Sequence, residues 1–465
     1  MDHMDKPGHY CGVVGIHSLE ECNIPEKLFY PLYSLQHRGQ EAAGISYFKK
    51  DHIVTYKDVG LVGKVLTHYI QENNPSHTGI GHVRYSTHGG NRVENIQPFH
   101  VSCNKGEIAL AHNGNISNIE SLKSLLQAEG AIFQSTSDTE IVLHLLSRSR
   151  RLNFLDALTE VLRQLQGAFS MVMIHENRLL AWRDPKGFRP LYLGEGDGFW
   201  IAASETCALD ILGVKNYREI EPGELVVIDA QGVSSHRYAE AHQRAHCVFE
   251  FIYFARPDSE IFGRSVYGVR KQLGRELALV DPVKADLVMA VPDSGNAAAL
   301  GYSEAKGIPF EMGMTRNHFA GRSFTLPSQA QREFAVKMKL HPIKEVVEGK
   351  RIILVDDSLV RGTTGRFIVK MLRDAGAKEI HLRLSSPEIL FPCFFGIDIP
   401  TRKELISNTK NTQELAAYLG ADTVLFLPVE SLNKAMGDPE NFCFGCFLGK
   451  YPEKLGPELL KELVL

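Results

Sequence analysis

The second half of the chain alternates strand patterns with helix patterns. Apolar runs predict strands at 287–291, 379–384 and 423–428, and amphipathic patterns predict helices at 266–279, 365–375 and 453–465. The run 352–355 is continuously apolar, rich in β-branched residues and bounded by turn-forming residues, which is typical of a parallel strand buried on both faces. This alternation predicts a doubly wound parallel α/β sheet.

The first half of the chain is rich in hairpin patterns. Alternating apolar and polar residues predict hairpins at 170–184 and 224–238 and a strand at 11–16, and helical patterns cover 138–148 and 155–165. We expect layered sheets between helices here. The polar, His-rich segment 238–246 is the expected junction between the two architectures.

Composition and charge narrow the class of protein. The length of 465 residues favours roughly two to four domains, and 44% hydrophobic content is enough for buried cores. Lys+Arg 51 against Asp+Glu 55 is nearly balanced, so we expect no nucleic-acid partner and no membrane partner. No apolar run approaches the ~18–20 residues of a membrane span, and residues 1–10 lack the apolar core of a secretory signal. A cytoplasmic location is therefore expected.

Paired carboxylates follow the buried run 352–355. Asp356 and Asp357 fall at the carboxyl end of this predicted strand, where open α/β sheets bind their ligands. The following turn offers hydroxyls, a cation and backbone N–H groups just before a helix that we expect to begin at Gly365, and these residues are Ser358, Arg361, Gly362, Thr363 and Thr364. Because two carboxylates beside an anion site would repel the anion, the pattern favours contacts with a diol or with Mg²⁺.

A second turn of this kind lies upstream. The predicted strand 287–291 ends in Pro292, Asp293, Ser294 and Gly295 before an Ala-rich helix. Both turns resemble the phosphoribosyl pyrophosphate (PRPP) turns of type I phosphoribosyltransferases, and the resemblance implies that Asp293 and Ser294 lie against the pyrophosphate. It also implies that Ser294, Asp356 and Asp357 hold Mg²⁺ beside the ribose and pyrophosphate.

The segment 317–342 between the two turns is basic, polar and without a clear period. It is typical of a mobile lid over a polyanion, and its candidate contacts are Arg322, Arg332, Lys337 and Lys339. A charge run of this kind also fits an ordinary solvated surface, so the residues alone leave both interpretations open.

A cysteine opens the first strand pattern, at Cys11. If residues 1–10 were removed, Cys11 would carry a free α-amino group of pKa near ~8 and would supply both nucleophile and base. The alternative is a buried structural cysteine. Four turn clusters accompany it, at 35–44, 81–90, 111–115 and 135–140, and together they resemble the class II glutamine amidotransferase domain, an N-terminal-nucleophile hydrolase.

The resemblance to class II amidotransferases implies roles for individual residues. Arg84 would bind the α-carboxylate of glutamine, and Asp138 would bind its α-ammonium group. Asn113 and the Gly114 N–H would form the oxyanion hole. His88 departs from the pattern, because related sequences usually carry a small residue there, and it would alter the rim of the pocket.

The two resemblances in this order identify the chain as a member of the glutamine phosphoribosylpyrophosphate amidotransferase family, from Cys11 to about Tyr451. The family implies hydrolysis of glutamine and transfer of the ammonia to C1 of PRPP, which gives 5-phosphoribosylamine, glutamate and pyrophosphate in the first step of de novo purine (IMP) synthesis. It implies a propeptide at 1–10, an αββα glutaminase sandwich at 11–245 and a phosphoribosyltransferase domain with a C-terminal tail at 246–465. Purine nucleotide inhibitors and a homo-oligomer, tetramer or dimer, are also expected.

Four of the eight cysteines have aromatic surroundings. Cys443 and Cys446 form a CxxC pair, and Cys247 and Cys393 lie in similar aromatic runs, whereas Cys22, Cys103 and Cys207 have no motif around them. Spacing alone leaves open whether the four share a metal. The resemblance to the iron–sulfur branch of the family implies a 4Fe–4S cluster bound by Cys247, Cys393, Cys443 and Cys446, with zinc as the alternative.

Two other functions fit parts of the sequence. A PRPP-sensing regulatory protein would keep the phosphate turns, but the intact glutaminase motifs argue against it. A different class II amidotransferase, such as one that aminates a sugar phosphate, would carry sugar-binding motifs in place of the turn at 356–364.

Overall fold

A computed structural model describes residues 11–85, 92–240, 243–317, 338–399 and 401–464. The predicted propeptide, His88 and three of the four candidate lid residues, Arg322, Arg332 and Lys337, lie outside the described residues. Among the described residues, no helix is both long enough and apolar enough to cross a membrane.

Two antiparallel sheets form the centre of the first half. One sheet contains β1 (Gly12–Asn23), β2 (Ala42–Lys49), β3 (His52–Val59), β4 (Pro75–Arg84), β9 (Tyr192–Gly196), β10 (Phe199–Ala203) and β11 (Asn216–Glu219), in the order β11-β9-β10-β1-β4-β2-β3. The other contains β5 (Phe99–Cys103), β6 (Gly106–Ile116), β7 (Gly167–His175), β8 (Arg178–Arg183), β12 (Glu224–Asp229) and β13 (Gly232–Arg237), in the order β13-β12-β8-β7-β6-β5.

Helices cover the outer faces of both sheets. They are α1 (Ile24–Ser34), α2 (Val62–Ile70) and α6 (Cys207–Asp210) on the first sheet and α3 (Ile119–Ala128), α4 (Glu140–Arg148) and α5 (Phe154–Leu162) on the second. Side chains such as Val13 and Val172 fill the layer between the sheets, while Leu28 and Leu158 pack from the helices onto the outer faces. The predicted αββα sandwich is therefore confirmed, and so are both hairpins.

A parallel sheet forms the centre of the second half. Its strands are β17 (Leu287–Ala290), β20 (Arg351–Asp356), β21 (Glu379–Leu384) and β22 (Thr423–Phe426), in that spatial order. Phe310 forms a parallel bridge with Val288 on the other edge of β17. The chain therefore runs outward from β17 in both directions, and the carboxyl ends of β17 and β20 form a topological switch point, where such sheets bind ligands.

Helices cover both faces of this sheet, as the doubly wound prediction requires. One face carries α7 (Val266–Val280) and α8 (Asn296–Lys306), and the other carries α10 (Thr363–Asp374) and α11 (Thr412–Leu419). Helix α10 begins at Thr363, two residues before the predicted start, because Gly362 takes a left-handed conformation with φ 81° and ends the turn there.

Short elements complete the second half. Paired strands are β14 (His246–Cys247) with β23 (Phe442–Cys443), β15 (Glu260–Ile261) with β16 (Arg264–Ser265), and β18 (Met314–Arg316) with β19 (Leu340–Pro342). The remaining α-helices are α9 (Lys344–Val347), α12 (Val429–Met436), α13 (Gly445–Leu448) and α14 (Pro457–Val464). A π-helical turn spans Glu250–Phe254, and 3-10 turns span Val93–Asn95, Arg402–Glu404, Ile406–Asn408 and Pro439–Asn441. The predicted helix 453–465 thus begins later, at Pro457, a residue suited to a first helical turn.

Candidate functional site

The first candidate site lies around Cys11, at the start of β1. The register pairs Gly12 with Val83, so Cys11 lies beside Arg84 at the end of β4. The thiol donates a long hydrogen bond of 3.7 Å to the Tyr85 carbonyl. Burial raises the pKa of the Cys11 thiol, against the opposing charge of Arg84. The thiol is therefore uncharged at neutral pH, and it requires a base before it can act as a nucleophile.

Asn113 and Gly114 lie side by side on β6. Gly114 has φ +151°, and a Cβ there would come within 1.9 Å of the Ala168 carbonyl oxygen, so only glycine fits. The Asn113 side chain is fully buried, and neither its amide nitrogen nor its amide oxygen has a hydrogen-bond partner among the described residues. A buried amide without partners is rare in folded proteins and is available to a ligand.

Asp138 completes this group. One carboxylate oxygen accepts a hydrogen bond of 2.9 Å from the Ile116 N–H, and the other lies 3.6 Å from His112 Nδ1. The charges of Asp138 and Arg84 both act on the Cys11 thiol, so the three residues share one site. A contact of 3.2 Å between His82 Nε2 and the His112 carbonyl joins β4 to β6 between the two sheets. The structure therefore brings the predicted glutaminase residues to one end of the sandwich.

The second candidate site lies at the switch point of the parallel sheet. Ala290 pairs with Val355, so the turn after β17 faces the turn after β20. The Ser294 hydroxyl donates to Asp357, and the Ser358 hydroxyl donates to the other oxygen of Asp357 at 2.7 Å. The Asp357 N–H donates to Asp356 at 2.9 Å, and both carboxylates are almost fully buried. The three predicted oxygen ligands are thus adjacent.

The surrounding predicted residues occupy the rim of this site. Two predicted PRPP contacts, Asp293 and Arg361, are in ion pairs: Asp293 with Arg316 at 2.7 Å, and Arg361 with Glu404 at 2.7 Å. Thr363 and Thr364 begin α10 directly after Gly362, and their position presents a helix N-terminus to the switch point. The Lys339 carbonyl accepts from the Asn317 N–H at 2.7 Å, which brings together the two ends of the predicted lid.

All four predicted cysteine ligands line one small cavity, at which the second half meets Phe188 and Arg189 of the first half. Cys247 and Cys443 are opposite each other in the register of the short parallel strands β14 and β23. Cys393 and Cys446 complete the lining, together with Phe188, Arg189, Phe249, Phe395 and Tyr451. Burial raises the pKa of Cys247 to about 11 and that of Cys446 well above its usual range, against the charge of Arg189 on Cys247.

The four sulfurs surround this cavity without converging on a point. Within the described ranges, no group of three or more His, Cys, Asp or Glu side chains is arranged to hold a single metal ion.

Two charged residues behind Cys11 were not singled out from the sequence. Arg38 donates from Nε to the Cys11 carbonyl at 3.1 Å, and its guanidinium pairs with Glu250 at 2.8 Å. The sequence held one signal for each residue: Arg38 is a cation inside the turn cluster 35–44, and Glu250 is the one carboxylate inside the aromatic run 247–254. Neither signal identifies the other residue, because they lie 212 positions apart.

Comparison with known proteins gives matches over nearly the whole chain. A family model of a glutamine amidotransferase domain matches residues 82–210. An amidophosphoribosyltransferase of Bacillus subtilis is 46% identical, covering 98% of this chain and 97% of that protein. One from Methanocaldococcus jannaschii is 45% identical over 96% of this chain and 98% of that protein, and the chloroplastic amidophosphoribosyltransferase 3 of Arabidopsis thaliana is 47% identical over 97% and 85%.

Solved structures agree with these matches. A glutamine phosphoribosylpyrophosphate amidotransferase from B. subtilis, complexed with ADP and GMP, superposes with a TM-score of 0.90 at 44% identity and covers 98% of this chain and 100% of that one. A structure described as the allosteric regulatory enzyme of purine biosynthesis superposes with a TM-score of 0.91 at 44% identity, covering 98% of each chain.

Proposed function

The chain belongs to the amidophosphoribosyltransferase family, and from that premise we propose that it makes 5-phosphoribosylamine from glutamine and PRPP, the first step of purine synthesis. Glutamate and pyrophosphate are the other products. The observation that carries the proposal is the presence of both sites in one chain, a Cys11 site with Arg84 and Asp138 and an acidic switch point at Asp356 and Asp357. The matches to amidophosphoribosyltransferases over nearly the whole chain favour this activity over the two alternatives, a PRPP sensor and a sugar-phosphate amidotransferase.

Glutamine hydrolysis would take place at Cys11. The sulfur attacks the side-chain amide carbon, the C–N bond breaks with protonation of the leaving nitrogen, and water then hydrolyses the thioester to glutamate. Because burial raises the pKa of the Cys11 thiol, the step requires a base, and the α-amino group freed by removal of the propeptide 1–10 would supply it.

Four further groups would orient and stabilise this reaction. Asn113 Nδ2 and the Gly114 N–H would donate to the developing oxyanion, which is consistent with the absence of a partner for the Asn113 amide among the described residues. Arg84 would hold the α-carboxylate of glutamine through its planar fork, and Asp138 would accept from the α-ammonium group.

PRPP would bind at the switch point of the parallel sheet. The oxygens of Ser294, Asp356 and Asp357 are the donor type that Mg²⁺ prefers, and their adjacency supports a shared ion. When bound, Mg²⁺ would neutralise charge on the pyrophosphate leaving group. The 5-phosphate would lie against the turn of Ser358, Arg361, Gly362, Thr363 and Thr364, while Asp293, Arg332 and Lys339 would contact the pyrophosphate end.

The four cysteines of the cavity would hold a 4Fe–4S cluster. Four thiols in an apolar shell match the ligand set of such a cluster. Four Zn–S bonds of about 2.3 Å would require the sulfurs to converge on one point. Because no three of these side chains are grouped around a single ion among the described residues, the arrangement favours the cluster over zinc. A bound cluster would act as a cross-link between β14, the segment around Cys393 and the C-terminal tail, with no chemistry at either active site.

Regulation and assembly are proposed by analogy with the relatives. The B. subtilis structure was complexed with ADP and GMP, so we propose that purine nucleotides bind this enzyme and inhibit it. We further propose a cytoplasmic homo-oligomer, a dimer or a tetramer, with a glutaminase domain at 11–245 and a phosphoribosyltransferase domain at 246–465.

Two substitutions test whether glutamine hydrolysis and product formation take place at separate sites. Cys11→Ala changes the glutaminase site, and Asp357→Asn changes the PRPP site. We expect Cys11→Ala to abolish glutamine-dependent product formation and to keep the reaction with high external ammonia. Asp357→Asn should weaken both product-forming reactions at limiting PRPP while it still hydrolyses glutamine. Equal loss of both product-forming reactions in Cys11→Ala would contradict the proposal.

A further inference from the structure

A buried arginine holds the main chain of the nucleophile. Arg38 is 1% exposed, and its Nε donates to the Cys11 carbonyl oxygen at 3.1 Å. Cys11 itself lies just outside the β1 ladder, which begins at Gly12. This hydrogen bond therefore fixes the main chain of the residue that carries the reactive thiol, which the hydrogen bonds of the sheet do not hold.

Two buried carboxylates hold Arg38 from opposite halves of the chain. Glu205, from the first half, accepts from Arg38 at 2.5 Å and is fixed by His37 at 2.8 Å and by the Ser259 hydroxyl at 2.8 Å. Glu250, from the second half, accepts two hydrogen bonds from Arg38, at 2.8 and 3.0 Å. A bidentate pair of this kind constrains direction as well as distance.

The second half anchors Glu250 rigidly. Glu250 begins the π-helical turn Glu250–Phe254, and Arg270 of α7 donates to two carbonyls of this segment, Phe251 at 2.7 Å and Ala255 at 2.8 Å. Helix α7 packs on the parallel sheet whose edge carries the acidic residues, and the charge of Asp357 acts on Arg270. A continuous series of direct contacts thus joins the body of the second half to Cys11.

We propose that Arg38 and Glu250 are positioning residues, through which the second half of the chain fixes the Cys11 nucleophile for attack on glutamine. The inference rests on the proposed glutaminase function of Cys11. Neither residue touches the substrate in this scheme, because substrate binding belongs to Arg84 and Asp138. The bond between Arg38 and Glu250 sets where the sulfur lies, and a displacement of about 1 Å at such a point costs roughly 10²-fold in rate.

Two conservative substitutions test this role. Arg38→Lys keeps the charge but removes the donor to the Cys11 carbonyl. Glu250→Gln keeps an acceptor but removes the charge, and Glu205 still holds the arginine. Arg183→Lys is the matched control, because Arg183 is also fully buried and pairs with a carboxylate, Glu219, in the same half of the chain.

The kinetic pattern distinguishes positioning from general stability. We expect kcat for glutamine hydrolysis to fall about 10²-fold in Arg38→Lys and about tenfold in Glu250→Gln, with KM for glutamine and the ammonia-dependent reaction unchanged. The double variant should be no slower than Arg38→Lys alone, because both substitutions break one linkage. Arg183→Lys should keep the wild-type kcat.

Several results would overturn the inference. These are a wild-type kcat in folded Glu250→Gln, additive losses in the double variant, or parallel losses of the glutamine and ammonia reactions. If Arg38→Lys does not fold, Glu250→Gln decides by the same criteria. A wild-type enzyme that makes product from ammonia but never hydrolyses glutamine would instead refute the proposed function at Cys11.

Discussion

Asn113 offers a substitution with opposite effects on stability and activity. Its side-chain amide is fully buried, and both polar atoms lack partners among the described residues, so the folded protein bears their desolvation without compensation. Leucine has a similar size and shape but no polar atoms. We therefore predict that Asn113→Leu preserves or increases the free energy of unfolding while it removes one donor of the oxyanion hole.

The expected magnitudes follow from these contacts. An unsatisfied buried polar group costs about 1–3 kcal/mol, so removal of the amide should stabilise the fold by up to about 1–3 kcal/mol after imperfect packing of leucine. Loss of one oxyanion donor typically lowers kcat by about 10²–10³-fold. Because the donor acts in the transition state, kcat should fall while KM for glutamine changes little.

Asn95 is the matched control for the stability measurement. It is also buried, but its amide donates to Thr136 Oγ1 at 2.8 Å and accepts from the Thr136 N–H at 3.0 Å. Asn95→Leu should therefore be destabilised by about 1–3 kcal/mol, because two hydrogen bonds to Thr136 are lost, each worth about 0.5–1.5 kcal/mol. Urea unfolding at constant pH measures both variants, and a coupled glutamate assay measures the glutaminase. Destabilisation of Asn113→Leu as large as that of Asn95→Leu, or a wild-type kcat, would refute the reasoning.

Three further predictions concern other parts of the molecule. Asp357→Asn should raise KM for PRPP at least about tenfold, because a carboxylate is lost from the proposed Mg²⁺ site, and an unchanged KM across a Mg²⁺ titration would show that the turn has another role. Burial, reinforced by the charge of Arg84, lowers the pKa of His82 to about 3. In the unfolded chain the histidine pKa is near 6.5, so between pH 6.5 and pH 3 the unfolded chain binds a proton that the folded protein does not. The free energy of unfolding therefore falls as the pH falls, by about 2 kcal/mol between pH 7 and pH 5 for this residue. Urea titrations should show that His82→Asn removes this loss, whereas the control His68→Gln, at a largely exposed histidine, should keep it. Anaerobically purified wild type should contain about four iron and four sulfide per chain, and Cys443→Ser should contain less of both. A colourless wild type that holds only zinc would exclude the cluster.

The elements around the second site were predictable from local pattern. The run 352–355 is typical of a buried strand, so Asp356 and Asp357 were expected at its carboxyl end, and the observed strand Arg351–Asp356 agrees. Pattern could not place the start of the next helix, because the left-handed backbone at Gly362 fixes it and periodicity does not report backbone dihedral angles.

The contacts behind Cys11 could not be predicted in this way. Arg38 and Glu250 are far apart in sequence, and their pairing depends on how the two halves pack rather than on either local segment. The unpartnered amide of Asn113 is likewise a property of the packed interior and not of the motif that contains it. By contrast, the shared aromatic surroundings of the four cysteines were a compositional signal, and these residues do line one cavity.

Isotope transfer tests the central claim most directly, namely that one chain hydrolyses glutamine and delivers its nitrogen to PRPP. The enzyme is supplied with glutamine labelled with ¹⁵N in the side-chain amide, together with PRPP, Mg²⁺ and unlabelled ammonium at a concentration too low to support the ammonia-dependent reaction, and the phosphoribosylamine is trapped for mass analysis. The account predicts product that retains the label despite the unlabelled pool. Product that carries the isotope ratio of the bulk ammonium, or no product from glutamine at all, would contradict it.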